Sequence, residues 1–256
     1  YIIYENIQQS INPSRNNTKL RSTKTQILMS AGGFRDIVTD GIIFQIDAAN
    51  NLCGNVTNAK NIVNPTEIGS FNNGASVVDN AYSFDGVNDY IDCGVINQVQ
   101  TFSYSMWVTP LNWGATRVAI QQGQSSNYGV SFWFMSDGTL RCLGSNGTND
   151  SYFGNVVVNA DTYLPSGDWG HIVFTHEQTG PGATQKIYIN GILRNTYVST
   201  TNPYIVNYLG NPLYIGKRNN NSAFFLGNIG TFKNYNKALT QAETTQNYEA
   251  TKYRFI

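Results

Sequence analysis

The groups in this chain that could do chemistry are its carboxylates, two histidines, three cysteines and a few loops that set an aromatic beside an amide. Hydrolysing a glycosidic bond takes two carboxyl groups facing each other across it. The five glutamates, Glu5, Glu67, Glu177, Glu243 and Glu249, are scattered along the chain. The best carboxylate pair is Asp85 with Asp89, inside Asp85-Gly-Val-Asn-Asp89. Such a run reads as turn chemistry, because Asp and Asn side chains hydrogen-bond backbone amides two residues on. His171 and His176 stand five residues apart, which puts them on opposite faces of one strand. No Gly-x-Ser-x-Gly or phosphate-loop pattern occurs. Cys53, Cys93 and Cys142 are odd in number and fit no zinc spacing, so they are expected as small buried residues of a protein folded in reducing surroundings. One chemistry remains open to the loops. A pyranose has an apolar face rimmed by hydroxyls, and an aromatic beside amides suits it. Asn112 with Trp113, Asn127 with Tyr128, and Asn219 with Asn220 in Arg218-Asn-Asn-Asn-Ser222 have that composition, in a chain rich in Asn and Tyr throughout.

The elements that position these residues are mostly strands. Aromatics make up 13% of the chain, enough for a large core, while charged residues make up 12%, about half the ~25% of ordinary proteins. Asn alone outnumbers Asp and Glu together, and the formal net charge is +0. A nucleic-acid partner needs a positive field, so that class is excluded, and anionic membrane surfaces with it. No apolar run approaches the ~20 residues of a membrane span. Thr101–Thr109 alternates, with Phe102, Tyr104, Met106 and Val108 on one side and Ser103, Ser105 and Trp107 on the other, which predicts a half-buried strand. Further strands are predicted at Asp40–Asp47, Ala81–Gly86, Asp89–Asp92, Arg117–Gln122, Tyr152–Val158, Trp169–Thr175 and Phe224–Tyr235. Gly129–Met135 is expected to pair with Thr139–Leu143 across Asp137-Gly138. Ile187 and Ile189 lead into Asn190-Gly191, a type I′ hairpin signal. Residues 50–76 read as loops with little regular structure. One helix is expected after Thr240, whose hydroxyl and Glu243 form a capping box.

Residues 1–39 differ from the rest. Arg15, Lys19, Arg21 and Lys24 lie among Ser, Thr and Asn with little apolar content, too little to fold alone. They are expected to form an extended arm laid on a neighbouring subunit, in preference to a strap over their own domain, leaving 40–256 as one domain. Because the chain opens on Tyr1 rather than Met, a preceding segment is expected to have been removed or left out.

Several of these pieces together resemble the laminin-G-like branch of the concanavalin A-like lectin/glucanase jelly rolls. They are Trp169/His171, Tyr188/Asn190/Gly191, Leu213–Gly216, Gly227–Gly230, and Ala238–Thr240 with Glu243, Asn247 and Tyr248. Phe84–Ile91 and Phe102–Trp107 look like the family's front half. The resemblance runs over roughly Asp40 to Phe255 and implies an all-β, antiparallel jelly-roll sandwich with a short C-terminal helix. Glucanase relatives carry Glu-x-Asp-x-x-Glu on one strand, and here no glutamate has Asp two residues on, so no enzyme is expected. Relatives bind calcium at the rim through carboxylates and carbonyls. By that resemblance Asp85 and Asp89, together with Asn88 and Asp137, are the candidate metal ligands. The Asp-Gly-Ile opening strand and basic tail, Lys252-Tyr-Arg-Phe255, are similar to versions in phage and other viral structural proteins. The expectation is therefore a structural, adhesive protein of the virion surface: a capsid decoration, fibre or tail-associated module. Its arm would grip other virion proteins in a multi-copy assembly, and its outward domain would attach to host glycans. The alternative is a secreted or cell-surface carbohydrate-binding module, extracellular and calcium-dependent.

Overall fold

The computed structural model describes residues 36–55, 57–96, 99–123, 128–146, 156–180, 182–199, 206, 208 and 210–256. In chain order the first strands are β1 (Ile42–Asp47), β2 (Gly54–Asn55), β3 (Asn58–Lys60), β4 (Ile68–Asn72), β5 (Ser76–Val78), β6 (Ala81–Asp85), β7 (Tyr90–Asp92), β8 (Phe102–Pro110) and β9 (Arg117–Gln122). Then follow β10 (Tyr128–Phe134), β11 (Thr139–Asn146), β12 (Val156–Asn159), β13 (Gly170–Thr179), β14 (Gly182–Ile189), β15 (Ile192–Ser199), β16 (Leu213–Ile215), β17 (Leu226–Tyr235) and the helix α1 (Gln241–Thr251). They form two antiparallel sheets. Sheet A runs β15-β14-β13-β8-β17-β6-β5, with β1 also paired to β17; sheet B runs β12-β11-β10-β9-β16-β7-β4-β3-β2. This is a jelly-roll sandwich.

Alternation explains the core. From β8, Phe102, Tyr104, Met106 and Val108 point inward, and β10 adds Val130, Phe132 and Phe134 from the facing sheet. Tyr104 stacks on Phe132 at 6.0 Å and meets Phe232 edge-on at 5.3 Å, geometries that aromatic quadrupoles favour. Cys53, Cys93 and Cys142 are free and buried. Asn190 (φ 53°) and Gly191 (φ 76°) form the hairpin turn between β14 and β15 with positive φ at both central residues, as a type I′ turn demands. At Gly216 (φ 94°) a Cβ would come within 2.6 Å of the Phe84 ring, so the Leu-Tyr-Ile-Gly run ends where a core aromatic presses on the backbone.

Two expectations need correction. Residues 50–76 are not merely loops: they hold β2 to β4 and the first residue of β5. These strands are two to five residues long, too short to show alternation; β2 pairs with β3, β3 with β4, and β4 with β7 (Ser70 opposite Asp92, Phe71 opposite Ile91), while β5 pairs with β6 in sheet A. The buried Asn61 supports them, accepting from the Gln45 and Val63 amides and donating to Glu67 at 2.8 Å. Nor is β8 half-buried: all nine residues are buried. The C-terminal segment roofs its outer side. Trp107 stacks on Phe255 at 4.5 Å and on Tyr248 at 5.8 Å, and donates to Thr251 Oγ1 at 2.7 Å. Ser103 donates to the Lys237 carbonyl and accepts from the Leu239 amide. The capping box holds the start of that roof, with Thr240 Oγ1 accepting from the Glu243 amide and Glu243 accepting from the Thr240 amide. Arg254 of the basic tail is forked onto Asp47 at 2.8 and 2.9 Å.

The proposed arm lies outside the described residues up to position 35. At the junction, Val38 is buried; its amide donates to Asn247 and its carbonyl accepts from Tyr235.

Candidate functional site

Pairing registers gather the connections between the sheets at one end of the sandwich. Pro110 lies opposite Gly227, Asp85 opposite Leu226, and Gly170 opposite Val108. The linkers 86–89, 111–116, 160–169 and 216–225 therefore share a rim with the 135–138 turn. Asp85, Asp89, Asn112, Trp113, Asp137, Asn219 and Asn220 all belong to this end. Asn127 lies outside the described residues, and the Tyr128 backbone, opposite Asn146, opens β10 at the other end.

The rim candidates serve mostly themselves. Asn112 accepts from the Gly114 amide. Trp113 is half-buried, its ring 5.1 Å from Phe134 and its indole N–H donating to the Leu164 carbonyl at 3.1 Å; it closes the end of the core. Asp85 Oδ1 accepts from the Val87 and Asn88 amides, and these bonds hold its carboxyl below the usual range. Asp89 is buried; its Oδ2 accepts from the Asp85 amide at 3.0 Å, its Oδ1 has no partner, and desolvation raises its pKa. Asp137 accepts from the Thr139 amide and hydroxyl.

The loop after β16 behaves differently, folding back over the outer face of sheet B. Asn219 donates from its amide to Gln121 Oε1 at 3.0 Å and from its side chain to the Gly123 carbonyl at 2.8 Å. Lys217 donates to Asn221 Oδ1 at 2.7 Å, which holds Asn221 in a left-handed conformation (φ 56°). The Lys217 ammonium sits 3.7 Å over the Tyr90 ring and 4.1 Å over Tyr214, a cation–π contact strongest when desolvated. Burial lowers the Lys217 pKa, and Asp92 partly offsets this. The Arg218 guanidinium lies 5.2 Å over the Trp133 ring. Asn220 is exposed and accepts from Ser222.

Three aromatics thus stand on the outer face of sheet B: Tyr90 on β7, Trp133 on β10 and Tyr214 on β16, each half-buried. Tyr90 and Tyr214 meet edge-on at 5.9 Å. Amides and hydroxyls interleave with them: Ser70 is exposed, Asn72 and Asn219 are half-buried, and Gln121 and Ser131 lie beneath. Sequence reasoning missed this trio. The signal was present in Val130-Ser-Phe-Trp-Phe134, where Trp133 occupies the phase opposite to the core residues.

The sequence profile of the concanavalin A-like lectin/glucanases superfamily matches residues 85–244. The chain belongs to that superfamily. Its jelly roll is similar to the botulinum neurotoxin serotype D binding domain (15% identity, TM-score 0.58, covering 82% of this chain and 52% of that one). It is also similar to the Trypanosoma rangeli sialidase in complex with sialic acid (16% identity, TM-score 0.58, covering 86% and 34%). A third similar structure is the serotype D ligand binding domain in complex with N-acetylneuraminic acid (14% identity, TM-score 0.59, covering 82% and 51%). The chain spans about half the length of the toxin domains it matches, and identities this low establish the fold alone. No curated protein matches it in sequence.

Within that superfamily the carboxylates and histidines decide what the site does chemically. Glu67 accepts from Asn61 and Asn64, Glu243 caps α1, and Glu249 pairs with Lys252. Ser105 Oγ and His171 Nε2 are 2.8 Å apart, a contact invisible in the sequence. Both are buried beneath the roof, His171 Nδ1 has no partner, and burial depresses this imidazole to about 3. The pair is sealed from substrate. His176 faces the core, stacked on Phe102 at 5.1 Å. Calcium takes six to eight oxygens. Asp85 Oδ1 and Asp89 Oδ2 are engaged with the turn, Asp89 Oδ1 is left without a partner, and no group of three or more His, Cys, Asp or Glu that could hold a metal occurs among the described residues. These residues do not fit a calcium cage.

Proposed function

We propose that this domain is a non-enzymatic, adhesive sugar-binding module whose recognition surface is the outer face of sheet B. The observation that carries it is the Tyr90–Trp133–Tyr214 trio set among hydroxyls and amides and fixed by a hydrogen-bonded loop. Rings supply stacking for a pyranose face, and the polar groups supply partners for its rim. The loop's internal bonds hold these groups in place before binding, which lowers the ordering cost. A lectin-like fold and the sugar complexes of two similar structures support this reading. The rim candidates Asn112 and Trp113 are a second recognition region in the proposal. A glycan array probed with the full chain and with Trp133→Ala tests it: wild type binds specific glycans and the variant does not. Equal binding by both proteins would move the site elsewhere.

We further propose that the module works on a virion surface, with residues 1–35 as the attachment arm and the following residues, Val38 among them, docked on the domain. Support comes from the low charge, the three free buried thiols and the basic, acid-free stretch at Ser10–Thr25. Mass spectrometry of purified virions against secreted fractions separates this from the cell-surface alternative. Deleting residues 1–35 should leave a folded domain that no longer incorporates; normal incorporation refutes the arm.

A further inference from the structure

We propose that the sugar held on this face is an acidic one, its carboxylate or sulfate paired with Arg218 and Arg141 beside the Trp133 ring. This rests on the sugar-binding reading above. Charges in the chain balance, 16 against 16, yet this face is one-sided. Register and alternation put Lys60, Asp92 and Arg141 on the outer side of sheet B, and the folded-back loop adds Lys217 and Arg218. Asp92 is the only carboxylate among the described residues of these outer positions. It accepts from the Gly94 amide at 2.9 Å and stands on β7, directly opposite Tyr214.

Around Trp133 the field is positive. Arg141 lies directly across the ladder from Trp133, and Arg218 lies over its ring. The link of Arg141 to Asp137 is loose, 3.6 Å between solvent-facing groups, and its buried Nε has no hydrogen-bond partner. Exposed pairs of this kind hold weakly, so an incoming anion can displace Asp137. A neutral pyranose uses the ring and the amides and has no need of two guanidinium groups. A carboxylate or sulfate takes the planar fork of an arginine in two parallel charge-assisted bonds. Lys217, buried and bonded to Asn221, contributes field rather than contact.

An array of neutral, sialylated, uronate-bearing and sulfated glycans, probed with the full chain, tests the class. Titration of the strongest acidic hit and its charge-removed counterpart (carboxyl-reduced or desulfated) then tests the residues. Hits confined to acidic glycans are expected, weakening as ionic strength rises, and the sialylated, uronate and sulfated arms name the source of the charge. Arg141→Ala and Arg218→Ala should each weaken the acidic ligand about tenfold or more without changing the melting temperature, and Trp133→Ala should abolish its binding. If neutral counterparts bind as tightly, or the arginine variants lose neutral and acidic ligands alike, the acidic assignment is wrong while the sugar site stands. An array with no hit removes the sugar site itself.

Discussion

Trp107 and Trp133 occupy the same position in the sequence grammar of this protein: each is a tryptophan on the off-core phase of an alternating strand. Their fates differ. Trp107, on sheet A, is fully buried beneath α1 and Phe255. Trp133, on sheet B, is only half-buried, with an arginine above it and another beside it. The outer side of sheet A has become a second small core in which Ser105, His171 and Lys233 are sealed. The outer side of sheet B has stayed polar and reachable. In a jelly roll, strand alternation sets which residues leave the core, while coverage sets whether they are sealed or stay reachable.

That contrast can be broken experimentally. Trp107→Ala should destabilise the domain by about 3–5 kcal/mol, the usual cost of removing a buried tryptophan, whereas Trp133→Ala should cost no more than about 1 kcal/mol; urea unfolding of both variants measures the difference. Comparable losses would mean that both faces are structural.

Acidification attacks the buried side next. His171 and His176 are depressed by burial to about 3 and about 4, below the ordinary ~6.5. The unfolded chain therefore binds protons that the folded one refuses, and stability falls as pH drops from ~6.5 toward 4. The slope reaches about 2.7 kcal/mol per pH unit when both imidazoles contribute. Melting curves from pH 7 to 5 check this, and His176→Gln should roughly halve the slope. A flat profile would mean that neither imidazole is held neutral by burial. Thr240→Ala removes one cap and should cost about 1 kcal/mol, read by thermal melting. The smallest effect is expected from chelator: the two carboxylates at the 85–89 turn do not form a cage, so EDTA should leave melting temperature and glycan binding unchanged. A drop would reveal a bound cation stabilising the fold by mass action.

Much of the framework was legible. Arg117–Gln122 stands as read, the β10–β11 pairing falls across Asp137-Gly138, and the Asn190-Gly191 turn and Thr240–Glu243 box form as their local sterics require. The short strands of 50–76 were not legible, because at two to five residues they show no alternation and their ladder is anchored to the sheet only where β4 meets β7, about twenty positions away. The candidate site was legible only in part. Composition alone marks Asn219 and Asn220, which lie on the loop that folds over sheet B. Trp113 packs on Phe134 and stays half-buried at the rim.

Local order in the chain determined by itself which side chains turn inward and where the backbone reverses, since alternation and positive φ are properties of neighbouring residues. Only the tertiary structure decided that Tyr90, Trp133 and Tyr214, from three separated strands, share one face. It alone placed a segment 144 residues beyond Trp107 over the other face. Coverage is a contact between distant parts of the chain, and no pattern read along a single strand records it.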